Sequence, residues 1–301
     1  MFFETILMAE ITIAILMTCH NRKNTTLSCL EALMNQEPNP GIRISVFLVD
    51  DGSEDGTADA VSEQFPHVKI LYGNGSLYWG GGMRMAFDEA SEHDYDFYIW
   101  LNDDVILYPY AISKMIDTFH SIKTKENKEA IIVGSTRDDS TGRHAYGGIV
   151  IPNWWPPLKL VPVIPADAPL SCDTMGGNLN LISRNIVKIL GNLDPYFSHG
   201  TGDVDYGLRA GKAGISCRVA PGYLGHCPMN KIEGSVRDTS LPIHKRKELM
   251  SQRTSVTPIK ERLYFTRRHT GYLWPIHWIM TITSRILFPR LWLIWRSKFG
   301  R

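Results

Sequence analysis

The sequence predicts an α/β chain with a mixed, mostly parallel central sheet, on three observations. Short apolar runs of strand character alternate with segments whose apolar residues recur at helical spacing. Two of those runs, 44–49 and 97–101, close on carboxylates, Asp50-Asp51 and Asn102-Asp103-Asp104. A third acidic cluster, Gly202-Asp203-Val204-Asp205, follows further along. The order of the three says more than any one alone.

Taken in order, residues 11–17 form a short, partly β-branched apolar run and read as a buried strand. Asn24-Thr25-Thr26 then offers a helix cap before Leu27, Leu30, Leu33 and Met34. The next strand ends at Asp50, and a turn at 53–57 leads into a helix carrying Ala58, Val61 and Phe65. Residues 68–72 give a third strand, 83–90 a helix and 97–101 a fourth strand. Pro109 suits a first helical turn ahead of Ile112, Met115, Ile116 and Phe119, and 131–133 is again strand-like. Regularity fades after Val150. The prolines between 152 and 169 exclude a central strand or helix, and a loop of that length tends to be functional. Trp154 and Trp155 within it either plug into the body or line an acceptor-binding loop. Residues 207–212 then look helical, followed by a short strand at 216–219.

The 301 residues, 44% hydrophobic and 21% charged, fit an ordinary globular chain, and a net charge of +1 argues against nucleic-acid binding. That average hides an asymmetry. Residues 244–301 hold 13 Lys and Arg against 2 Asp and Glu, a net of +11, which leaves the remainder at −10. The expected organisation is a catalytic unit over 1–243 and a basic, helical C-terminal segment over 244–301. The segment from Tyr272 onward carries four of the eight tryptophans, Trp274, Trp278, Trp292 and Trp295, among Ile, Leu and Arg. That mixture fits helices lying on an anionic membrane surface, with packing on the body or on a partner of a homodimer as the other reading. Five cysteines without paired spacing suggest reduced thiols. The N-terminus has no signal-peptide pattern, and no apolar run reaches the ~20 residues of a spanning helix. The expectation is a cytoplasmic protein, peripheral on the inner face of the plasma membrane.

In an open α/β sheet, ligands bind outside the carboxyl ends of the strands. Two acidic strand ends in one crevice repel unless a cation or a donor-rich ligand sits between them. A nucleoside diphosphate with a divalent metal supplies both. The runs Thr18-Cys19-His20-Asn21-Arg22, Val49-Asp50-Asp51-Gly52-Ser53, Asn102-Asp103-Asp104-Val105, Gly176-Gly177-Asn178 and Gly202-Asp203-Val204-Asp205 together resemble the family-2 glycosyltransferases of the GT-A (Rossmann-like) fold. The stretch Arg262 to His269 resembles the tail of bacterial rhamnosyltransferase-like members, and the likeness covers roughly residues 10 to 270. One departure stands out: the family usually has Glu-Asp where this chain has Gly202-Asp203.

The resemblance implies an inverting, metal-dependent transfer of a sugar from a nucleoside-diphosphate donor to a polysaccharide or lipid-linked glycan acceptor. dTDP-rhamnose and UDP-hexoses are the candidate donors, and Mn²⁺ or Mg²⁺ the cofactor. By the same likeness Thr18, His20 and Arg22 serve base and diphosphate, and Asp50 the base or ribose. Asp51 supports its turn at the donor site. Gly80 and Gly81, in the glycine-rich run before the helix at 83, line the donor pocket. Asn102 orients the turn at the donor site, Asp103 holds the ribose or a metal-bound water, Asp104 takes the metal with His226 completing its shell, and Asn178 meets the donor sugar. Asp203 maps onto the general base. Asp205, with Trp154 and Trp155, falls on the acceptor side, and its charge also complements a helix start. Two other classes remain: a non-catalytic nucleotide- or sugar-binding relative, made conceivable by Gly202, and a nucleotidyltransferase, disfavoured because no basic triphosphate loop follows the first strand.

Overall fold

The computed structural model describes residues 10–153, 155, 158–236, 238–252 and 258–288. Its first half is a regular alternation: β1 (Ile11–Cys19), α1 (Lys23–Met34), β2 (Ile42–Asp50), α2 (Thr57–Gln64), β3 (Lys69–Tyr72), α3 (Tyr78–Ser91) and β4 (Phe97–Leu101). Next come β5 (Ile106–Leu107), α4 (Ala111–Glu126), β6 (Ala130–Val133), β7 (Thr136–Arg137), β8 (His144–Tyr146) and β9 (Gly148–Val150). The short strands β10 (Val161–Pro162), β11 (Leu170–Cys172) and β12 (Thr174–Met175) lead to β13 (Leu179–Ser183) and α5 (Arg184–Leu190). The chain then runs through α6 (Gly202–Lys212), β14 (Ser216–Val219), β15 (Gly225–His226), α7 (Ile243–Ser251), α8 (Ile259–His269) and α9 (Trp274–Ile286).

Eight strands form the central sheet in the order β11-β14-β6-β13-β4-β1-β2-β3. The β3-β2-β1-β4 half and the β6-β14 pair are parallel, whereas β13 runs antiparallel to both β4 and β6. The sheet is mixed and mostly parallel, as expected for a GT-A fold. Strand alternation explains its two covered faces. Ile13, Ile15 and Met17 of β1 pack with Leu30 and Leu33 of α1 and with Met115 and Phe119 of α4. Ala14 and Leu16 point the other way, onto Phe87 of α3 and Tyr206 of α6. Trp100, fully buried, sits edge-on against Tyr206 and fixes α6 beside β4.

Helix starts depart from the sequence reading: α1 opens at Lys23, ahead of the expected cap at 24–26, and α6 at Gly202 rather than 207. Helix α3 begins at Tyr78 rather than 83, so Gly80, Gly81 and Gly82 lie inside it. A Cβ at Gly80 would run into the Phe197 carbonyl, and one at Gly82 into Thr18, so these glycines let the helix approach loop and strand closely. The C-terminal segment, over its described part, packs against the body. Phe265 of α8 is fully buried in a cluster with Phe197, Val204 and Leu208, and α9 packs along α8. A phenylalanine buried to that degree is worth about 2–3 kcal/mol. Trp154, Trp292 and Trp295 lie outside the described residues.

Candidate active site

A cleft of about 680 Å³ opens beyond the carboxyl ends of β1 and β4. Thr18, Cys19, His20, Arg22, Asp51, Asn102, Asp103 and Asp104 line it. So do Gly177, Asn178, Thr201 and Asp203, and the cations Lys159, Arg262 and Arg285. The topology therefore brings together most of the residues singled out from the sequence.

Arg22 bridges two carboxylates: Nη1 lies 3.2 Å from Asp103 and Nη2 donates to Asp104 at 2.9 Å. Burial pushes the Asp103 carboxyl up to about 7, against the pull of Arg22 and with Asp104 adding to the rise. Thr26 donates to it from α1. Asp104 receives a thiol contact from Cys227 at 3.4 Å. His20 donates from Nδ1 to the Asp51 carbonyl at 2.7 Å, which fixes its ring beside the cleft.

The two acids of the β2 turn divide their work differently from the expectation. Asp50 is 2% exposed and accepts from the Ser53 amide at 2.8 Å, so it sits under the turn and not among the cleft-lining residues. Asp51 lines the cleft, yet both its oxygens are engaged. One accepts from Gly75 at 2.8 Å and the other from the Leu77 and Tyr78 amides, each at 2.9 Å. The anion at the start of α3 is thus Asp51 itself. Gly80 and Gly81, expected to line the donor pocket, are buried in α3 and are not among the lining residues. Asn102 Oδ1 accepts from the Trp79 indole at 2.8 Å, holding that ring in the cleft wall.

Asp203 stands in the first turn of α6 and faces the cleft. Its Oδ2 accepts from the Gly177 amide and its Oδ1 from the Val204 amide, both at 2.7 Å. Burial raises its pKa, the two amides opposing the rise. Gly177 is required there: a Cβ would lie 2.5 Å from the Trp79 ring and 3.3 Å from Asp203 Cβ. Gly202 has a packing reason too. A Cβ on it would lie 3.2 Å from Phe197 Cβ, which leaves little room for the usual Glu.

Asp205 is not an acceptor contact. It is fully buried, accepts from His269 Nε2 at 2.7 Å and Arg209 Nε at 2.9 Å, and lies outside the cleft lining, because its helical position turns it toward α8. His226 does not join Asp104. Its pairing on β15 turns the ring edge-on to Tyr108, with Nδ1 3.3 Å from Asp139, while the next residue, Cys227, reaches Asp104. Asn178 lines the cleft, with its amide 3.5 Å from the Cys227 sulfur. Trp155 is 73% exposed and is not among the lining residues; Leu158, Lys159 and Leu160 face the cleft from that loop.

Among the described residues, no three His, Cys, Asp or Glu side chains gather as a metal cage. A hard cation that arrives on phosphate oxygens needs only one or two carboxylates from the protein. Asp104 and Asp103 line the cleft and suit that role, whereas His226 is not among the lining residues and faces Tyr108 and Asp139. Sequence reasoning missed Thr201, His199, Arg262 and Cys227. Thr201 precedes α6 at φ 71°, a left-handed conformation uncommon for a β-branched residue, with its hydroxyl buried beside the cleft. Burial lowers the pKa of its neighbour His199. Nothing in composition marks either residue.

Residues 14–159 match the model of glycosyl transferase family 2. The chain is also 26% identical, over 192 residues, to N-acetylglucosaminyl-diphospho-decaprenol L-rhamnosyltransferases from two strains of Mycobacterium tuberculosis, CDC 1551 and H37Rv. The alignment takes in 57% of this chain and 62% of each relative, less than two thirds of the relatives' length. With the acidic strand ends and Asp203 lining one cleft, the chain resembles the glycosyltransferases of family 2 over residues 14–159, and rhamnosyltransferases among its relatives.

Proposed function

We propose that the chain transfers a sugar, with inversion, from a nucleoside diphosphate to a hydroxyl of a glycan or lipid-linked acceptor. The observation that carries this reading is Asp203, held by two backbone amides in the same cleft as the Arg22–Asp103–Asp104 cluster. A carboxylate so fixed removes the proton of the acceptor hydroxyl as its oxygen attacks the anomeric carbon. The bond from that carbon to the diphosphate breaks on the opposite face, and the leaving oxygen keeps the electron pair. Arg22 is the protein cation beside that leaving group.

Asp104 is the residue that would hold Mn²⁺ or Mg²⁺, and such an ion, when bound, neutralises charge developing on the diphosphate. dTDP-rhamnose is the favoured donor, because the relatives are named rhamnosyltransferases. UDP-hexoses are the second choice. Their name also specifies a diphospho-decaprenol acceptor, which supports a lipid-linked acceptor here. The work would take place at the inner face of the plasma membrane. Among the described residues no helix is long and apolar enough to cross a bilayer. The outward residues of α9, Ile276, Ile279 and Met280, are 41–55% exposed and form an apolar row suited to a membrane surface.

The test is turnover of dTDP-rhamnose and UDP-hexoses, including slow hydrolysis without acceptor. Asp203→Asn should lose roughly a hundredfold or more in kcat, the scale of general-base removal, with donor affinity nearly unchanged. Excess EDTA should abolish activity. Donor binding without any hydrolysis or transfer would identify a binding module instead. Full activity in EDTA would remove the metal from the scheme.

A further inference from the structure

Arg262 of α8 lines the cleft yet is only 3% exposed. Among the described residues its guanidinium makes no ion pair, and its Nε has no hydrogen-bond partner. Among the described residues its guanidinium lies over the face of Phe265, 5.1 Å away. Burial alone pushes its pKa down to about 10. An unpaired buried cation is costly to hold, and such a cost persists where a ligand supplies the missing charge.

The surroundings say which ligand. The cleft that Arg262 lines is also lined by two further cations, Lys159 and Arg285, and by Asp51, Asp103, Asp104 and Asp203. Helix α9 contributes to the wall through Thr281 and Arg285. His277 and Thr281, one turn apart, are buried on its inner face, while Ile276, Ile279 and Met280 of the same helix face outward. A basic pocket and an exposed apolar row therefore share one helix. That juxtaposition suits a molecule in which an anionic group is joined to an apolar chain.

We propose that Arg262 is the centre of an anion subsite in the α8–α9 wall of the cleft, binding a phosphate or diphosphate that links the acceptor sugar to an apolar chain. The proposal rests on the glycosyl-transfer reading above. It gives the cleft two anion positions: one at Arg22 for the leaving group and one at Arg262 for the acceptor, with Asp203 in the same cleft.

The experiment uses the full chain saturated with dTDP, or with UDP if that binds better, so that the donor position is filled. Octyl diphosphate is then titrated by calorimetry, with neutral octyl glucoside as the control. Arg262→Met should weaken octyl diphosphate binding by roughly tenfold or more, the scale of one charge-assisted hydrogen bond. Octyl glucoside and nucleotide affinities should stay unchanged. Arg262→Lys should retain most of the diphosphate affinity. Because Met removes an unpaired buried charge, the melting temperature of Arg262→Met should hold or rise. Equal octyl diphosphate affinity in wild type and Arg262→Met overturns the proposal. So does displacement of octyl diphosphate by the nucleotide, which would place the anion at the donor position. Loss of binding in both variants with a lowered melting temperature marks a structural arginine and also overturns it. Donor hydrolysis by the same wild-type preparation reports separately on glycosyl transfer, so failure of that reading is seen apart from failure of the subsite.

Discussion

Replacing Asp205 by Ala should cost about 3 kcal/mol of stability and slow turnover without touching the substrate. The carboxylate is fully buried and accepts from His269 at 2.7 Å and Arg209 at 2.9 Å, with Arg268 a further 3.3 Å away. Two hydrogen bonds involving charged groups contribute about 1.5–3 kcal/mol each. The gross loss is therefore about 3–6 kcal/mol. Part of it is recovered, because Arg209 keeps the Leu190 and Asn192 carbonyls, Arg268 keeps Asp194, and His269 can remain neutral. The lower end of the range follows. That loss is a large share of a typical domain's 5–15 kcal/mol. Urea unfolding at neutral pH measures it as a fall in midpoint at constant slope. The kinetic effect belongs to position: α6 carries Asp203 two residues earlier, and a misplacement of about 1 Å costs on the order of a hundredfold. The fall should appear in kcat, with the acceptor KM little changed. A stability loss under about 1 kcal/mol combined with a raised acceptor KM would refute this reasoning and return Asp205 to the acceptor side.

Burial raises the Asp203 pKa, so the acid limb of kcat/KM should lie above the ordinary carboxylate range near about 4. Activity is then present above the folded pKa and lost as pH falls through it; an acid limb at or below about 4 counts against Asp203 as the base. Changing Ile276 and Ile279 together to Ser should release the protein from anionic liposomes in a flotation assay while activity on a soluble acceptor survives. Both side chains are about half exposed, so the fold should lose little, and unchanged flotation would remove α9 from the membrane contact.

Much of the architecture is written locally. The alternation in β1 tells which residues face α1 and which face α3, and acids at the ends of β2 and β4 are visible as apolar runs that stop on carboxylates. What the sequence hides is direction and partnership. Asp50 and Asp51 are adjacent and chemically identical, and only the turn geometry decides that Asp51 meets the amides of the α3 start. His226 ends the short strand β15 and Cys227 follows it, so pairing with β5 fixes His226 while the next side chain reaches Asp104. The glycines before 83 look like a loop in sequence and prove to be helix, since close contact with Thr18 and Phe197 outweighs their poor helix propensity. Arg262 lies some 60 residues from Asp203, and its place in the cleft wall depends on the docking of α8.

The ionisable groups around the cleft come near balance, Asp51, Asp103, Asp104 and Asp203 against Arg22, Lys159, Arg262 and Arg285, with Asp103 only partly charged at neutral pH. A pocket with that balance exerts no strong long-range pull on a polyanion. Capture of the donor is then governed by ordinary diffusion and short-range fit, and its association rate should vary little between low and physiological ionic strength. Selectivity among the many phosphorylated metabolites that collide with the cleft falls to local geometry, above all to whether a ligand can draw Arg22 away from the two carboxylates it bridges.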